Sequence, residues 1–236
     1  MSAFFTAFME HVPPVSVSQA RTSEWLLERH RSAAAGQQGS ARIGPLLRRF
    51  AVKPDQIGHR ASYLRDLCPS TSPDGHLFAD DPPELGARAA YAQAAIEDVF
   101  DALYGRDEEA PEQLLHVSCT HYESPSAAQR QVVQRGWFEE TTVSHLYHMG
   151  CYASLPAVRS AHALNKAGAG RVDIVHTELC TLHVDTCSHT PEQFVVQTLF
   201  ADGAIRYSAL DEASFQARSS PALELLAQRE ILLPDT

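Results

Sequence analysis

The chain of 236 residues is short of positive charge and of long apolar runs, and both shortages narrow what it does. Lys plus Arg number 19 against 29 Asp plus Glu, a formal charge of -10 with histidine neutral. A protein whose main task is gripping nucleic acid carries the opposite balance. No apolar stretch approaches the ~20 residues that span a bilayer. The opening Met-Ser-Ala-Phe-Phe has no basic region ahead of an apolar segment, so no secretory signal is read there. The 5 cysteines are odd in number and scattered, which does not make a disulfide framework. The reading is a cytoplasmic chain with reduced thiols. No Gly-x-Gly-x-x-Gly, Walker-type or Gly-x-Ser-x-Gly pattern occurs, which leaves nucleotide binding and the simplest hydrolase reading without support.

What is present suits one large domain or two small ones. Apolar residues make up 44% and charged residues 20%, ordinary values for a chain that buries a core. Phe4 to His11 is rich in strand formers and stops at Pro13-Pro14. Ser18 has the character of a helix cap before Trp25, Leu26 and Leu27. Ala33 to Ser40 reads as a loop, and Leu46 to Val52 as a short helical segment closed by Pro54. Cys68 to Pro83, rich in proline, reads as an exposed connection. From Glu84 to Tyr104, apolar residues from Leu85 to Leu103 recur at helical spacing.

The second half alternates strand and helix. Leu114 to Thr120, Thr142 to Tyr147 and Arg171 to Thr177 read as strands; Ser126 to Arg135 and Cys151 to Lys166 read as helices. Val195 to Leu210 reads as a strand pair interrupted at Ala201-Asp202-Gly203. This alternation predicts an α/β layered fold with a mixed or parallel sheet covered by helices.

Charge is clustered. Arg42, Arg48, Arg49, Lys53, Arg60 and Arg65 lie close together against one acid, Asp55. Glu97 to Glu112 is acidic, with only Arg106 opposing it. Both segments read as solvated faces; the basic one also suits an anionic partner such as a carrier protein or coenzyme A phosphates. Only Phe50 and Tyr63 interleave its charges, too few for stacking single-stranded nucleic acid.

The densest chemistry lies at His148-Met-Gly-Cys151. A strand arrives at Gly150, which permits a tight turn, and Cys151 is expected to open a helix. A thiol there faces unpaired N–H groups and the positive end of the helix dipole, which favour the reactive thiolate. Such a thiol suits acyl transfer from a thioester; a small buried residue is the plainer alternative.

Four segments occur in a telling order: Cys119-Thr-His-Tyr-Glu-Ser-Pro-Ser126, Gly150-Cys151, Arg171-Val-Asp-Ile-Val-His-Thr-Glu178 and Leu199-Phe-Ala-Asp-Gly-Ala204. They resemble the thiolase superfamily, specifically the N-terminal half of type III polyketide synthases and the related ketoacyl synthase III enzymes. The resemblance runs from about Phe4 to Leu210, with Leu232 to Thr236 matching a segment just beyond. It implies a thiolase-like half-domain over 1–236, the N-terminal half of an αβαβα sandwich, in which Cys151 is acylated by a coenzyme A or carrier-protein thioester. A second, enolate-forming thioester then attacks and a carbon–carbon bond forms. No cofactor beyond the acyl thioester is implied. By position, Thr120, Glu178, Cys180 and His183 fall where those synthases line the acyl pocket. The family pattern has threonines at 180 and 183 and glycine at 201, so pocket shape departs from the pattern here. The nearest functional class joins two β-ketoacyl chains into an α-pyrone or dialkylresorcinol-type ring.

The resemblance also implies a catalytic His and Asn on a C-terminal half-domain that this chain lacks, so a piece of a longer protein or one subunit of a two-chain enzyme whose partner supplies that half is expected; the family further implies a homodimer. Asn165, the only asparagine, stands 14 residues beyond Cys151, about 21 Å along a helix. His148 is the local candidate for a helper. A non-catalytic acyl- or partner-binding half is the alternative. A rival from another class is a zinc module using His176, Cys180, His183 and Cys187, though no paired Cys-x-x-Cys knuckle supports it.

Overall fold

The computed structural model describes residues 2–67, 76–78, 83–218 and 220–231. The strands are β1 (Phe4–His11), β2 (Val15–Ser18), β3 (His59–Ser62), β4 (Gln113–Ser118), β5 (Thr142–Tyr147), β6 (Arg171–Leu179), β7 (Asp202–Leu210) and β8 (Leu223–Glu224). The helices are α1 (Gln19–Ala33), α2 (Ile43–Phe50), α3 (Leu85–Leu103), α4 (Ala127–Gln134), α5 (Ser154–Lys166), α6 (Pro191–Leu199) and α7 (Glu212–Arg218). Six strands make one mixed sheet in the order β5-β4-β6-β7-β1-β8, and β2 pairs with β3 separately. β4 runs parallel to β5 and β6, while β7 is antiparallel to both β6 and β1. The α/β class and mixed sheet match expectation.

Chain direction explains the layers. From β4 the chain steps outward through α4 to β5, then returns past β4 through α5 to β6. Crossovers between parallel strands are right-handed, so steps in opposite directions put their helices on opposite faces. Ala127, Ala128 and Val132 of α4 accordingly pack in a core with α1, α2, α3 and α6 residues. Ala157 and Ala161 of α5 pack in a second core, against Leu115, Val117, Val172 and Ile174. With helices on both faces, β6 is buried at nearly every position. Small alanines on α5 let it lie close on the sheet. Among the described residues no helix is long and apolar enough to cross a membrane.

Local signals account for most boundaries. The Ser18 side chain accepts the Arg21 N–H at the start of α1, as the capping reading requires. Ser126 and Gln129 form a reciprocal capping box on α4. In α3, Ile96, Val99, Phe100 and Leu103 are buried at helical spacing, but Leu85 is 80% exposed, so the apolar stripe begins only near Ala92.

Three expectations need correction. Val195 to Leu210 is not a strand pair: α6 ends at Leu199 and β7 is one strand. Thr190 caps the Gln193 N–H, Pro191 occupies the first turn, and Phe194, Gln197 and Thr198 are buried at helical spacing. Gly203 makes no turn and pairs with Glu178. Second, Arg60 is not part of a solvated basic face; it is 5% exposed and its Nη1 donates to the Gln197 carbonyl at 2.9 Å. Third, Glu108 in the acidic run turns inward and accepts from Arg171 and Arg206, each at 3.0 Å. Most of Cys68 to Pro83, and Leu232 to Thr236, lie outside the described residues.

Buried histidines predict an acid-sensitive fold. On β4, His116 is enclosed, with Nε2 on Thr177 Oγ1 at 2.9 Å and Nδ1 on Tyr147 OH at 2.7 Å. Burial, reinforced by nearby His145, His121 and His176, lowers its pKa from 6.5 to about 3. Burial likewise lowers that of His176 to about 4. Below pH 6.5 the unfolded chain therefore binds more protons than the folded one, and stability falls as pH falls. We expect urea denaturation at pH 5 to show a loss of roughly 1–2 kcal/mol per histidine relative to pH 7. His176→Gln should flatten that dependence; a flat wild-type profile would contradict the burial argument.

Candidate active site

The carboxyl ends of the three parallel strands bring the chemistry together, the usual ligand position in sheets of this type. β4 delivers Cys119 and Thr120, β5 leads to Gly150 and Cys151, and β6 ends on Glu178 and Leu179. The Glu178 carboxylate accepts the Cys119 N–H at 3.0 Å and the Thr120 hydroxyl at 2.9 Å. Thr120 Oγ1 in turn accepts the Leu179 N–H at 2.8 Å. The Cys119 sulfur accepts the Gly150 N–H at 3.0 Å and donates to the Gly150 carbonyl at 3.3 Å. A continuous relay thus runs from Glu178 through Cys119 to the turn that carries Cys151.

That turn is sharper than expected. His148 and Gly150 both have left-handed backbone, φ 57° and 77°. At Gly150 any side chain would strain the bend. Cys151 does not open the helix: it lies in a turn ahead of Ser154, the first residue of α5, and is exposed. The helix has no side-chain cap, and Ala153 and Ser154 share the wall beside the thiol.

A cavity of about 550 Å³ brings Cys151 together with Thr120, Glu178, Cys180 and His183. His148 is not among its walls. It stands past the end of β5 and lines a neighbouring cleft with His121 and Tyr122. His183 Nε2 meets the Thr120 carbonyl at 2.6 Å. His145 pairs with Ser126, and Asn165 donates to the carbonyls of Ala169 and Ala209, so neither turns to Cys151.

Electrostatics separate the thiols. Burial, with the nearby charges of Glu178, Asp202 and Cys151, raises Cys180 to about 12 and keeps it protonated. Burial also raises Glu178, opposed by its bonds from Thr120 and Cys119 and by His183. The zinc alternative loses its geometry: His176 meets Tyr207 OH at 3.0 Å, Cys180 faces the cavity and Cys187 is exposed. Among the described residues no three His, Cys, Asp or Glu groups converge as ligands would.

Residues 61–209 match the model of the chalcone and stilbene synthase N-terminal domain, more than half of the chain. The chain belongs to that family. As a chalcone and stilbene synthase N-terminal domain it shares its fold with three solved proteins. The C-terminal type III polyketide synthase domain of Steely1, a type I/III hybrid from Dictyostelium, is 18% identical with a TM-score of 0.67. PKS-I from the brown alga Ectocarpus siliculosus is 18% identical with a TM-score of 0.65. The 1,3,6,8-tetrahydroxynaphthalene synthase of Streptomyces coelicolor, a bacterial type III polyketide synthase, is 19% identical with a TM-score of 0.64. The matches cover 88–89% of this chain but 56–57% of those chains, so this domain spans little more than half their length. The thiolase-type fold expected from the sequence is therefore the fold found.

The sequence reading assigns no site role to several wall residues, among them Arg60 and the apolar Val184, Val196 and Phe200, and does not find Cys119 as a clamp. For Arg60 the signal was available, because alternation along β3 turns Arg60 and Ser62 to one buried face. For Cys119 there was none, since its role depends on Gly150, a contact across 31 positions.

The relay carries a prediction. Glu178→Ala should slow covalent loading of Cys151 about 10- to 100-fold by freeing Cys119 and the turn, consistent with the sensitivity of reactivity to small misplacements. Glu178→Gln, which retains an acceptor, should lose less. Single-turnover rates by intact mass would measure both; equal rates for all three proteins would remove the positioning role.

Proposed function

We propose that Cys151 accepts an acyl group from a coenzyme A or carrier-protein thioester, and that the chain serves carbon–carbon bond formation in polyketide or fatty-acid-derived metabolite biosynthesis. The observation that carries this is the exposed Cys151 turn at the mouth of a cavity shared with Thr120, Glu178, Cys180 and His183.

In the loading step the Cys151 sulfur attacks the thioester carbonyl carbon, a new carbon–sulfur bond forms, and the donor's carbon–sulfur bond breaks. The donor thiol leaves with the proton that Cys151 gave up. The lining by Val184, Val196 and Phe200 suits an apolar acyl chain. Condensation then needs donors that hold the developing enolate oxygen, worth a few kcal/mol. The resemblance to type III polyketide synthases implies that these donors are a histidine and an asparagine of a second half-domain or partner chain; Asn165 of this chain donates to the Ala169 carbonyl instead.

Isolation from the native source with partners attached, followed by incubation with two acyl thioesters, one able to form an enolate, tests this. A chain heavier than 25.9 kDa, or a bound second subunit, together with a condensed product, is expected. A lone 25.9 kDa chain that loads acyl groups without joining them would leave only an acyl-binding role.

A further inference from the structure

The cavity wall contains a cation that the loading step does not use. Arg60 is 5% exposed, yet it lines the same cavity as Cys151. One of its donors, Nη1, holds the Gln197 carbonyl, whereas Nε has no partner among the described residues. Asp202 acts on it only through space. That carboxylate is occupied, accepting the N–H groups of Tyr63 and Thr181 and the hydroxyls of Ser62 and Thr181 at 2.6–3.0 Å. A desolvated guanidinium without a contacting anion is costly, and with Nη1 engaged and Nε itself enclosed, Nη2 is the donor left for a carboxylate. Bracing α6 through Gln197 explains only part of its donor set.

Cys180 relates the cation to the nucleophile. It is within electrostatic reach of both Arg60 and Cys151, and the three share one cavity. The remaining wall includes Val184, Val196 and Phe200, which suits methylenes. We propose that the acyl group taken by this cavity carries a carboxylate at the end remote from the thioester, held by Arg60 while the thioester carbonyl lies at Cys151. This rests on the acyl-loading reading of Cys151. The substrate class is thus the monothioester of a medium-chain dicarboxylic acid, with methylenes between its two ends, and the loading step itself is unchanged: thiol exchange, with the donor thiol leaving.

Matched pairs test it on the wild-type protein, without any variant: hexanoyl against adipyl, octanoyl against suberyl, and decanoyl against sebacyl coenzyme A, with loading read by intact mass. At least one carboxylated donor should load about 10-fold faster than its plain counterpart, the advantage of one charge-assisted hydrogen bond. Arg60→Gln should abolish that preference and Arg60→Lys restore part of it. If plain chains load and carboxylated ones gain nothing in any pair, the inference is overturned while the Cys151 reading stands. If nothing loads, the Cys151 reading fails and calorimetry with free suberate decides the inference separately. Binding that disappears in Arg60→Gln supports it, and absence of binding to the wild type overturns it.

Discussion

Cys151→Ala should abolish the proposed covalent acyl loading and leave the thermal midpoint essentially unchanged; that is the largest functional effect we expect. Cys151 is exposed, and losing an exposed thiol costs little stability. Neither neighbouring thiol is a ready substitute. Burial pushes the Cys180 thiol up to about 12, which keeps it protonated at neutral pH, and thiolate is the attacking form. The Cys119 sulfur is committed to the N–H and the carbonyl of Gly150. Intact mass after incubation with an acyl thioester reads the loss, and the melting curve provides the control. Loading at the wild-type rate in the variant would contradict the assignment.

Asp173→Ala has the largest expected effect on stability. Asp173 is fully buried on β6 and accepts from Arg171 Nε at 2.8 Å and Nη2 at 2.7 Å, a two-pronged pair. It also accepts the hydroxyls of Ser208 at 2.6 Å and Tyr104 at 3.0 Å. Arg171 is pulled the other way by Glu108, which also holds Arg206 beneath the Tyr104 ring. Removing the central carboxylate strands Arg171 in the interior and unpairs two hydroxyls. Breaking a buried pair by deleting one partner costs about 3–5 kcal/mol. In a chain of this size that lowers the melting midpoint by roughly 10 °C. Urea unfolding measures it directly, and a loss under about 1 kcal/mol would mean that Glu108 alone balances both arginines.

Elements whose cause is local were legible in the sequence. The α3 periodicity, the Ser18 cap and the β5 strand all lie where periodicity and capping residues put them. The fold class followed from alternation. What stayed hidden depends on contacts between distant segments. Glu108 looks like one more solvated acid until β6 and β7 bring Arg171 and Arg206 beside it. Arg60 looks like part of a basic surface until α6 covers it. α6 itself was mistaken for a strand because Val195, Val196 and Leu199 have strand character, whereas the Thr190 cap and Pro191 favour a helix.

Apart from His148, the site residues singled out in the sequence share a cavity, but how they are held was not legible. Thr120, Glu178, Cys180 and His183 all reach the cavity of Cys151. However, Thr120 and Glu178 spend their polar atoms on holding one another and the Cys119 backbone. His148 shows how one bend decides access: left-handed backbone at 148 and 150 carries Cys151 into the cavity and leaves the histidine in the adjoining cleft.

The most direct measurement of the central claim is peptide mapping of the wild-type protein after brief exposure to an acyl thioester, with hydroxylamine release as the check for a thioester bond. The account predicts one acyl group per chain, on the peptide containing Cys151. An acyl group found instead on Cys119 or Cys180 would contradict it.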